Sequence, residues 1–256
     1  MDNRKEKTLY LKSTDKDISK YVVFSGDPRR VEKIISFMDD VKEIAVSREF
    51  HSYTGFYKGV KITISSTGIG GPSASIAMEE MYECGMEVAV RLGTVMGLRD
   101  DLLGKFIIPV GAMREEGTTT TYVDKSYPAV ADFELIEYMN KSAETNGFGY
   151  DNSIICSYDG FYSQMRESRL SNKLKISIVE DIQELKKFNI GGIDMESSTI
   201  LTLSRLMGIK GCVVTMTTVL ENLKNYLKGG NRQKAEEEDL VRVVLDGIVL
   251  YDTANK

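Results

Sequence analysis

Short, continuous apolar runs alternate along this chain with segments in which apolar residues recur at helical spacing. The run at 21–25 ends at a Gly-Asp-Pro turn, as a buried strand does, and the apolar residues of 31–38 then recur at helical intervals. Strands that alternate with helices predict an α/β fold with a largely parallel or mixed sheet. In such sheets ligands bind beyond the carboxyl ends of the strands, so the residues at those ends are the candidates for a site.

The same two patterns assign most of the remaining chain. Further strands are predicted at 61–66, 87–92, 106–113, 152–156 and 211–216. Further helices are predicted at 72–84, 133–143, 195–207 and 239–250. No repeat, low-complexity stretch or Pro/Ser-rich linker interrupts the sequence, which favours a single domain over residues 1–256 with residues 1–8 as a flexible tail.

The charge balance and the apolar runs argue against several classes of protein. The 256 residues include 33 Lys and Arg against 38 Asp and Glu, a net charge of −5, without the basic block that binding to a phosphate backbone requires. No nucleic-acid partner is therefore expected. Apolar runs such as 106–110 are far shorter than the ~20 residues of a membrane span. The charged N-terminal residues are not followed by an apolar segment, so the sequence indicates a cytoplasmic protein without a secretory signal.

A shortage of histidine and cysteine restricts the available chemistry. The chain has one histidine, His51, and three cysteines, with no CxxC or HExxH pattern, so a conventional zinc site is not expected. A Ser-His-Asp or Cys-His nucleophile would depend on His51 alone, which we interpret as a structural or solvated residue on a strand. The cysteines are expected to pack as small apolar residues in a reducing compartment.

Two clusters at predicted strand ends combine glycine with arginine. Gly26 and Arg30 follow the first strand, where a glycine N–H and a guanidinium can bind an anion, although Gly-Asp-Pro is also a common turn. Arg91 ends an apolar strand and is followed by Gly93 and Thr94. A charge at that position must be paired or face a ligand, so a buried ion pair is the alternative. Together the clusters predict a site for free phosphate.

Two later segments could hold a nucleoside. Gln164 and Arg166 follow Phe161, and an amide with a guanidinium can match the carbonyls and imide N–H of a uracil-like ring; a polar loop is the alternative. Further on, Asp194 can cap a helix and Glu196 could accept hydrogen bonds from two ribose hydroxyls. Acidic residues in a first helical turn are also common without any ligand.

Taken together and in order, these segments resemble the nucleoside phosphorylase family, and within it the uridine-cleaving branch. The Gln164-x-Arg166 pair after Phe161 is typical of that branch. The resemblance extends from about Tyr10 to the C-terminal helix. The blocks that carry it are 26–28 with Arg30, 31–34, 48–50, 66–73, Arg91 with 93–94, 127–134 and 195–197.

The resemblance implies a three-layer αβα sandwich around a mixed, twisted sheet, assembled into dimers or hexamers with shared active sites. It implies phosphorolysis of a nucleoside by inorganic phosphate, without an organic cofactor and without a protein nucleophile. The residues it assigns to phosphate are Gly26, Arg30, Arg91 and Thr94, with Arg48 from a partner subunit. Those it assigns to the nucleoside are Phe161, Gln164, Arg166, Met195 and Glu196, with Tyr10 lent across the dimer. Of these, Arg91, Arg166 and Glu196 are the expected catalytic residues, and Glu49, Ile69 and Ser73 match a potassium site.

Several positions depart from the family pattern. Tyr10 stands where a histidine is usual, Val95-Met96 replaces Thr-Gly near the base, and 217–222 lacks an arginine that some members direct toward the base. The 161–166 loop is one residue shorter than usual. These departures leave open a purine or deoxyribonucleoside phosphorylase, a hydrolytic nucleosidase, or a nucleoside-binding protein with little turnover.

Overall fold

The computed structural model describes residues 6–220 and 235–256. Its strands are β1 (Tyr21–Ser25), β2 (Asp39–Ser47), β3 (Phe50–Tyr57), β4 (Val60–Ser66), β5 (Val88–Gly97), β6 (Phe106–Ile107), β7 (Gly111–Glu115), β8 (Ala129–Val130), β9 (Tyr150–Asp151), β10 (Ile155–Tyr158), β11 (Gly192–Asp194) and β12 (Lys210–Leu220). Its α-helices are α1 (Pro28–Ile35), α2 (Gly71–Glu83), α3 (Phe133–Thr145), α4 (Arg169–Leu174), α5 (Ile178–Lys187), α6 (Ser197–Met207) and α7 (Glu237–Ala254).

The strands form one mixed sheet with the order β2-β3-β4-β1-β5-β11-β10-β7-β8, and β12 pairs with both β5 and β6. At its centre β1 is parallel to β4 and β5, whereas β2, β3 and β4 form an antiparallel meander. β5 also pairs in parallel with β12 over its whole length. For part of its length β5 is therefore hydrogen-bonded to a neighbouring strand on each edge. The arrangement is typical of sheets covered by helices on both faces.

Alternating side chains of the central strands pack against two separate helical layers. Val23 lies in a core that contains apolar residues of α1, α3 and α7, whereas Val22 and Phe24 lie in a second core with α2 and α6. Since successive side chains of a strand point to opposite faces, the sheet is sandwiched between these two layers. The predicted αβα sandwich around a mixed sheet is confirmed.

A gap separates two strands that pair with the same edge of β5. β1 pairs with β5 as far as Arg91, and β11 pairs antiparallel with β5 only at Met96 and Gly97. The residues 92–95 therefore have no strand paired on that edge. A crevice opens there, beyond the carboxyl end of β1, as expected where the course of an α/β sheet changes.

The main departures from the predicted elements come from long-range pairing. β5 continues to Gly97 instead of ending near Arg91, because β12 supplies hydrogen-bond partners along its whole length. The predicted strand 106–113 is divided into β6 and β7, since Pro109 between them has no N–H to donate. Helix α6 begins at Ser197 rather than at Met195. The helices α4 and α5 and the strands β2, β8, β9 and β11 were not predicted.

Two predictions concern segments that lie partly outside the described residues. Of the predicted tail at 1–8, residues 1–5 lie outside the described residues, and Thr8 donates its N–H to the carbonyl of Ser13 at 2.9 Å. Of the segment 217–222, Glu221 and Asn222 lie outside the described residues as well. In the described part of the chain, no helix has the length and apolar character to cross a membrane.

The three cysteines provide a test of the packing. Cys84, Cys156 and Cys212 are free and buried, and burial raises the pKa of each thiol, to about 12 for Cys156 and for Cys212. We expect all three to resist Ellman's reagent in the native protein at pH 8, because the thiolate is both scarce and inaccessible. In guanidinium chloride all three should react. One thiol that titrates within minutes in the native protein would show that this part of the core is open.

Candidate active site

A cavity of about 670 Å³ occupies the crevice beside β5. It brings together Arg30 and Arg91, which the sequence had placed after two different strands. Of the residues predicted for the site, those that line the cavity are Gly26, Arg30, Ile69, Arg91, Thr94, Phe161, Arg166, Met195 and Glu196. Those that do not line it are Tyr10, Arg48, Glu49, Ser73 and Gln164.

Arg91 lies between two carboxylates. Its Nη2 is 3.0 Å from Oδ2 of Asp194 and 2.5 Å from Oε2 of Glu196, and only 4% of the residue is exposed. Burial would lower the pKa of Arg91, but the charges of Glu196 and Asp194 outweigh it and the pKa rises. The guanidinium therefore stays protonated in a site from which water is largely excluded.

The two carboxylates around Arg91 have different environments. Asp194 also accepts hydrogen bonds from the hydroxyls of Ser157, at 2.7 Å, and Ser197, at 2.5 Å. Glu196 accepts hydrogen bonds from the N–H of Gly70, at 2.6 Å, and from the N–H of Met195. Both carboxylates line the cavity. The hydrogen bonds of Asp194 connect β10, β11 and α6, whereas Glu196 retains lone pairs for a ligand.

The pKa of the Glu196 carboxyl group is raised above its ordinary value. Burial raises its pKa, the positive charge of Arg91 opposes that effect, and the negative charge of Asp194 adds to it, so that the net pKa is raised. Two carboxylates that share one cation resist ionising together. A group with such a pKa can both accept hydrogen bonds from hydroxyls and respond to charge that develops nearby.

A close approach between Gly93 and Arg91 shapes this part of the cavity. A Cβ atom on Gly93 would lie 2.9 Å from Nη2 of Arg91 and 3.0 Å from its Cζ. The Arg91 side chain therefore lies against the backbone at Gly93, and only glycine leaves room for it there. This contact gives a physical reason for the Arg-x-Gly spacing in the sequence.

The second arginine reaches the cavity from α1. Asp27 caps that helix by accepting a hydrogen bond from the N–H of Arg29, and Pro28 opens it. Arg30 is the third residue of the helix, in its first turn, and its Nη1 is 3.3 Å from the Ser25 hydroxyl at the end of β1. Two guanidinium groups, one from α1 and one from β5, thus line the same cavity.

The far end of the cavity is mainly apolar. Met96, Phe161, Met195 and Val219 belong to one apolar cluster, and all four line the cavity. Phe161 starts a π-helical turn (Phe161–Met165), which is closed by a hydrogen bond from the Arg166 N–H to the Phe161 carbonyl at 2.9 Å. A flat, largely apolar ring could bind in this space.

Arg166 and Gln164, the two polar residues predicted to bind the base, make different contacts. The exposed guanidinium of Arg166 lines the cavity and makes no ion pair with any residue of the described ranges. The carboxamide of Gln164 instead accepts a hydrogen bond from the Gly160 N–H at 2.8 Å. The structure therefore brings Arg166 to the cavity and directs Gln164 to its own loop.

Four other predicted residues lie outside the cavity lining and form two pairs, Arg48 with Tyr10 and Glu49 with Ser73. The Arg48 guanidinium lies 5.4 Å from the centre of the Tyr10 ring, which itself packs edge-on against Phe50. The Ser73 hydroxyl lies 3.1 Å from the Glu49 carboxylate and donates to the Thr67 carbonyl.

Sequence reasoning did not assign to the site five residues that line the cavity: Met165, Ile193, Asp194, Thr218 and Val219. The contact of the Asp194 carboxylate with Arg91 was likewise missed. Asp194 is the last residue of the buried strand β11, and a charge at the end of a buried strand was a usable signal for it. No local sequence pattern marks the other residues, which reach the cavity only because of the way the chain folds.

The cavity lies at the carboxyl ends of the strands and is lined by two arginines and by a glutamate whose pKa is raised. Such a site suits an enzyme that binds a small anion together with a second substrate. Residues 20–244 match the Phosphorylase superfamily. The chain belongs to this superfamily, as the sequence resemblance predicted.

Individual relatives carry two different substrate names. The chain is 38% identical to a uridine phosphorylase of Thermococcus kodakarensis over 77% of this chain and 72% of that one. It is 32% identical to a guanosine phosphorylase of Halorubrum lacusprofundi, over 91% and 89% of the two chains. The crystal structure of a uridine phosphorylase from Vibrio fischeri superposes with a TM-score of 0.85 at 31% identity, covering 96% of this chain and 99% of that one.

The Gly93 contact leads to a stability prediction. Gly93→Ala should lower the free energy of unfolding by about 1–3 kcal/mol, the usual cost of overpacking, because the Arg91 guanidinium must leave its ion pairs or the strand must shift. Guanidinium denaturation measures the change. Gly149→Ala is the matched control, since a Cβ there meets only Lys105 Cδ at 3.9 Å. Equal stability of the two variants would contradict the close contact.

Proposed function

We propose that this protein catalyses the reversible phosphorolysis of uridine, in which uridine and inorganic phosphate give uracil and ribose 1-phosphate. The observation that carries the proposal is the single cavity lined by Arg30, Arg91 and Glu196 at one end and by Phe161 and Arg166 at the other. The names of the relatives support uridine as the nucleoside. An organic cofactor has no part in this reaction.

The arginine end of the cavity would hold phosphate. Gly26, Arg30 and Thr94 would donate to its oxygens, and Arg91 would face it from the buried side. Positioned donors of this kind act on the transition state without reorganisation. Phosphate beneath the sugar would stabilise the positive charge that develops as the glycosidic bond breaks, and would then bond to the anomeric carbon.

The ribose would lie between the two ends. The Glu196 carboxylate, fixed by Arg91 and by the Gly70 N–H, would accept hydrogen bonds from the vicinal hydroxyls. Met195 would pack against the sugar. The negative charge of Glu196 would also favour the oxocarbenium-like transition state.

The base would occupy the apolar end. Phe161 would lie against the ring, and Arg166 would donate to a carbonyl oxygen and stabilise the negative charge on the departing uracil. A role for Gln164 in binding the base requires its carboxamide to release the Gly160 N–H and turn toward the cavity. The site residues assigned to catalysis are thus Arg91, Arg166 and Glu196.

The charges of one chain support the proposal that the site is completed by a second copy. Arg91 faces two carboxylates and Arg30 faces Glu237, so the two guanidinium groups bring no excess of positive charge to a phosphate dianion. Arg48 is exposed and makes no ion pair with the described residues. We propose that Arg48 and Tyr10 enter the site of a neighbouring subunit in a dimer or hexamer.

A potassium ion is proposed at the same interface. The Glu49 carboxylate, the Ser73 hydroxyl and the Ile69 carbonyl are hard oxygen donors, which suit an alkali cation. Glu49 and Ser73 already lie within 3.1 Å of each other. We also propose that the enzyme works in the cytoplasm.

Product analysis with and without phosphate tests the reaction. Uridine, thymidine, inosine and guanosine would each be incubated with the enzyme and the released base quantified by chromatography. Phosphate-dependent release of uracil is expected. Release of a purine base alone would favour the alternative that the guanosine phosphorylase relative suggests. Release without phosphate would identify a nucleosidase, and no release would identify a binding protein.

Arg166→Ala tests the base end of the site. We expect kcat for uridine to fall by roughly 10²-fold, because loss of one preorganised donor to developing negative charge typically costs ~3 kcal/mol. Initial-rate measurements at saturating phosphate give the value. Arg169→Ala, which removes an exposed guanidinium outside the cavity, should leave kcat unchanged. Nearly wild-type turnover by Arg166→Ala would refute the assigned role.

A further inference from the structure

A carboxylate from the last helix holds Arg30 in place. The Nε of Arg30 donates to Oε1 of Glu237 at 2.6 Å, and Nη1 donates to the Ser25 hydroxyl at 3.3 Å. In the described ranges the guanidinium makes no other hydrogen bond, so Nη2 is left unpaired on a side chain that lines the cavity. The group is therefore fixed at two nitrogens and retains donors for an anion.

Glu237 is itself held firmly at the start of α7. The helix opens with a capping box in which the Glu236 N–H donates to Oδ2 of Asp239 at 2.8 Å, and the Glu236 side chain accepts from the N–H of Asp239. Glu237 is the first residue after this cap. Its backbone position is thus set by the helix start and not by its contact with Arg30.

A second cation completes the contact. Nζ of Lys33 lies 2.5 Å from Oε2 of Glu237, so the two oxygens of one carboxylate bind two side chains of α1. Arg30 and Lys33 are three residues apart and lie on the same face of that helix. Burial would raise the pKa of Glu237, but Lys33 and Arg30 outweigh it and the pKa is lowered, which keeps the carboxylate ionised at neutral pH.

We propose that Glu237 is a positioning residue for phosphate: by accepting from Nε, it orients the Arg30 guanidinium so that its remaining donors face the cavity. This inference rests on the phosphorolysis proposed above. Arg30 has three rotatable bonds beyond Cβ, and a guanidinium that is fixed before the anion arrives loses less conformational entropy on binding. Glu237 does not itself touch the substrate.

A purely electrostatic role for Glu237 predicts the opposite result. A carboxylate beside Arg30 reduces the positive potential at the cavity, so its removal should strengthen phosphate binding if orientation were irrelevant. If orientation matters, removal should weaken binding in spite of the gain in positive charge. The sign of the change therefore separates the two roles.

The experiment compares Glu237→Ala, Glu237→Gln and Glu238→Ala with the wild type. Glu238 is an exposed acid in the same first turn, so its removal reproduces the loss of a negative charge at the helix N-terminus without the contact to Arg30. KM for phosphate, KM for uridine and kcat are measured, and binding of inorganic phosphate alone is followed by isothermal titration calorimetry.

We expect Glu237→Ala to raise KM and Kd for phosphate about tenfold, equivalent to ~1.4 kcal/mol, while KM for uridine stays unchanged. Glu237→Gln retains an oxygen that can accept from Nε and should recover most of this loss. Glu238→Ala should behave as the wild type. Thermal unfolding of each variant verifies that it is folded, and Glu237→Asp, which keeps the charge but shortens the reach, is measured beside them and should also weaken phosphate binding.

Unchanged or tighter phosphate binding by folded Glu237→Ala, or by Glu237→Asp if the alanine variant does not fold, would overturn the positioning role. Failure of the proposed reaction looks different. If the wild type binds phosphate but turns over no nucleoside, phosphorolysis is refuted and calorimetry still decides the role of Glu237. If the wild type does not bind phosphate at all, both proposals are overturned.

Discussion

The buried ion pairs of Arg91 tie the site to the fold. Taking a guanidinium out of water costs several kcal/mol unless carboxylates compensate for it, and here Asp194 and Glu196 do so from the end of β11 and the entry to α6. Glu196 in turn accepts a hydrogen bond from Gly70 at the start of α2. One cation thus connects the middle of the central strand to the starts of two helices on the same face of the sheet. The sequence left a buried ion pair and a ligand-binding arginine as alternatives for Arg91, and the structure shows the ion pair at the wall of the cavity.

The unpaired stretch of β5 explains why the cavity lies where it does. β1 stops at Ser25, β5 continues for six residues beyond Arg91, and β11 joins only at the far end. Between the ends of β1 and β11, residues 92–95 of β5 have no neighbouring strand on that edge. Backbone N–H and C=O groups that are enclosed in a protein need hydrogen-bond partners. A bound anion can supply acceptors there, which links the sheet's incomplete pairing to the proposed phosphate site.

The distribution of charge within one chain bears on the assembly proposed above. Within the described residues each cavity arginine except Arg166 is matched by at least one carboxylate, so pairing inside one chain stabilises the side chains more than it attracts a dianion. In the proposed reaction, additional positive charge would come from Arg166 or from a neighbouring copy of the chain. The exposed Arg48 beside Tyr10 offers such a charge to a neighbour.

Local sequence patterns were sufficient for the layers of the fold and for the candidate residues at the ends of its strands. Apolar runs and helical spacing predicted β1, α2, α3 and α7 within a few residues, because these elements depend mainly on side chains near in sequence. The blocks around Arg30, Arg91 and Glu196 were readable for the same reason, since each is a short motif at one strand end.

Tertiary structure decided the rest, because it depends on contacts between residues far apart in the chain. The length of β5 follows from pairing with β12, which begins more than a hundred residues later. The partner of Arg30 comes from α7, 207 residues away, and no local pattern indicates which acid will meet which base. Likewise, Gln164 and Arg166 belong to one motif, yet the turn of the π-helix sends one to the loop backbone and the other to the cavity. Sequence determined which chemical groups were available; only packing decided their orientation and their partners.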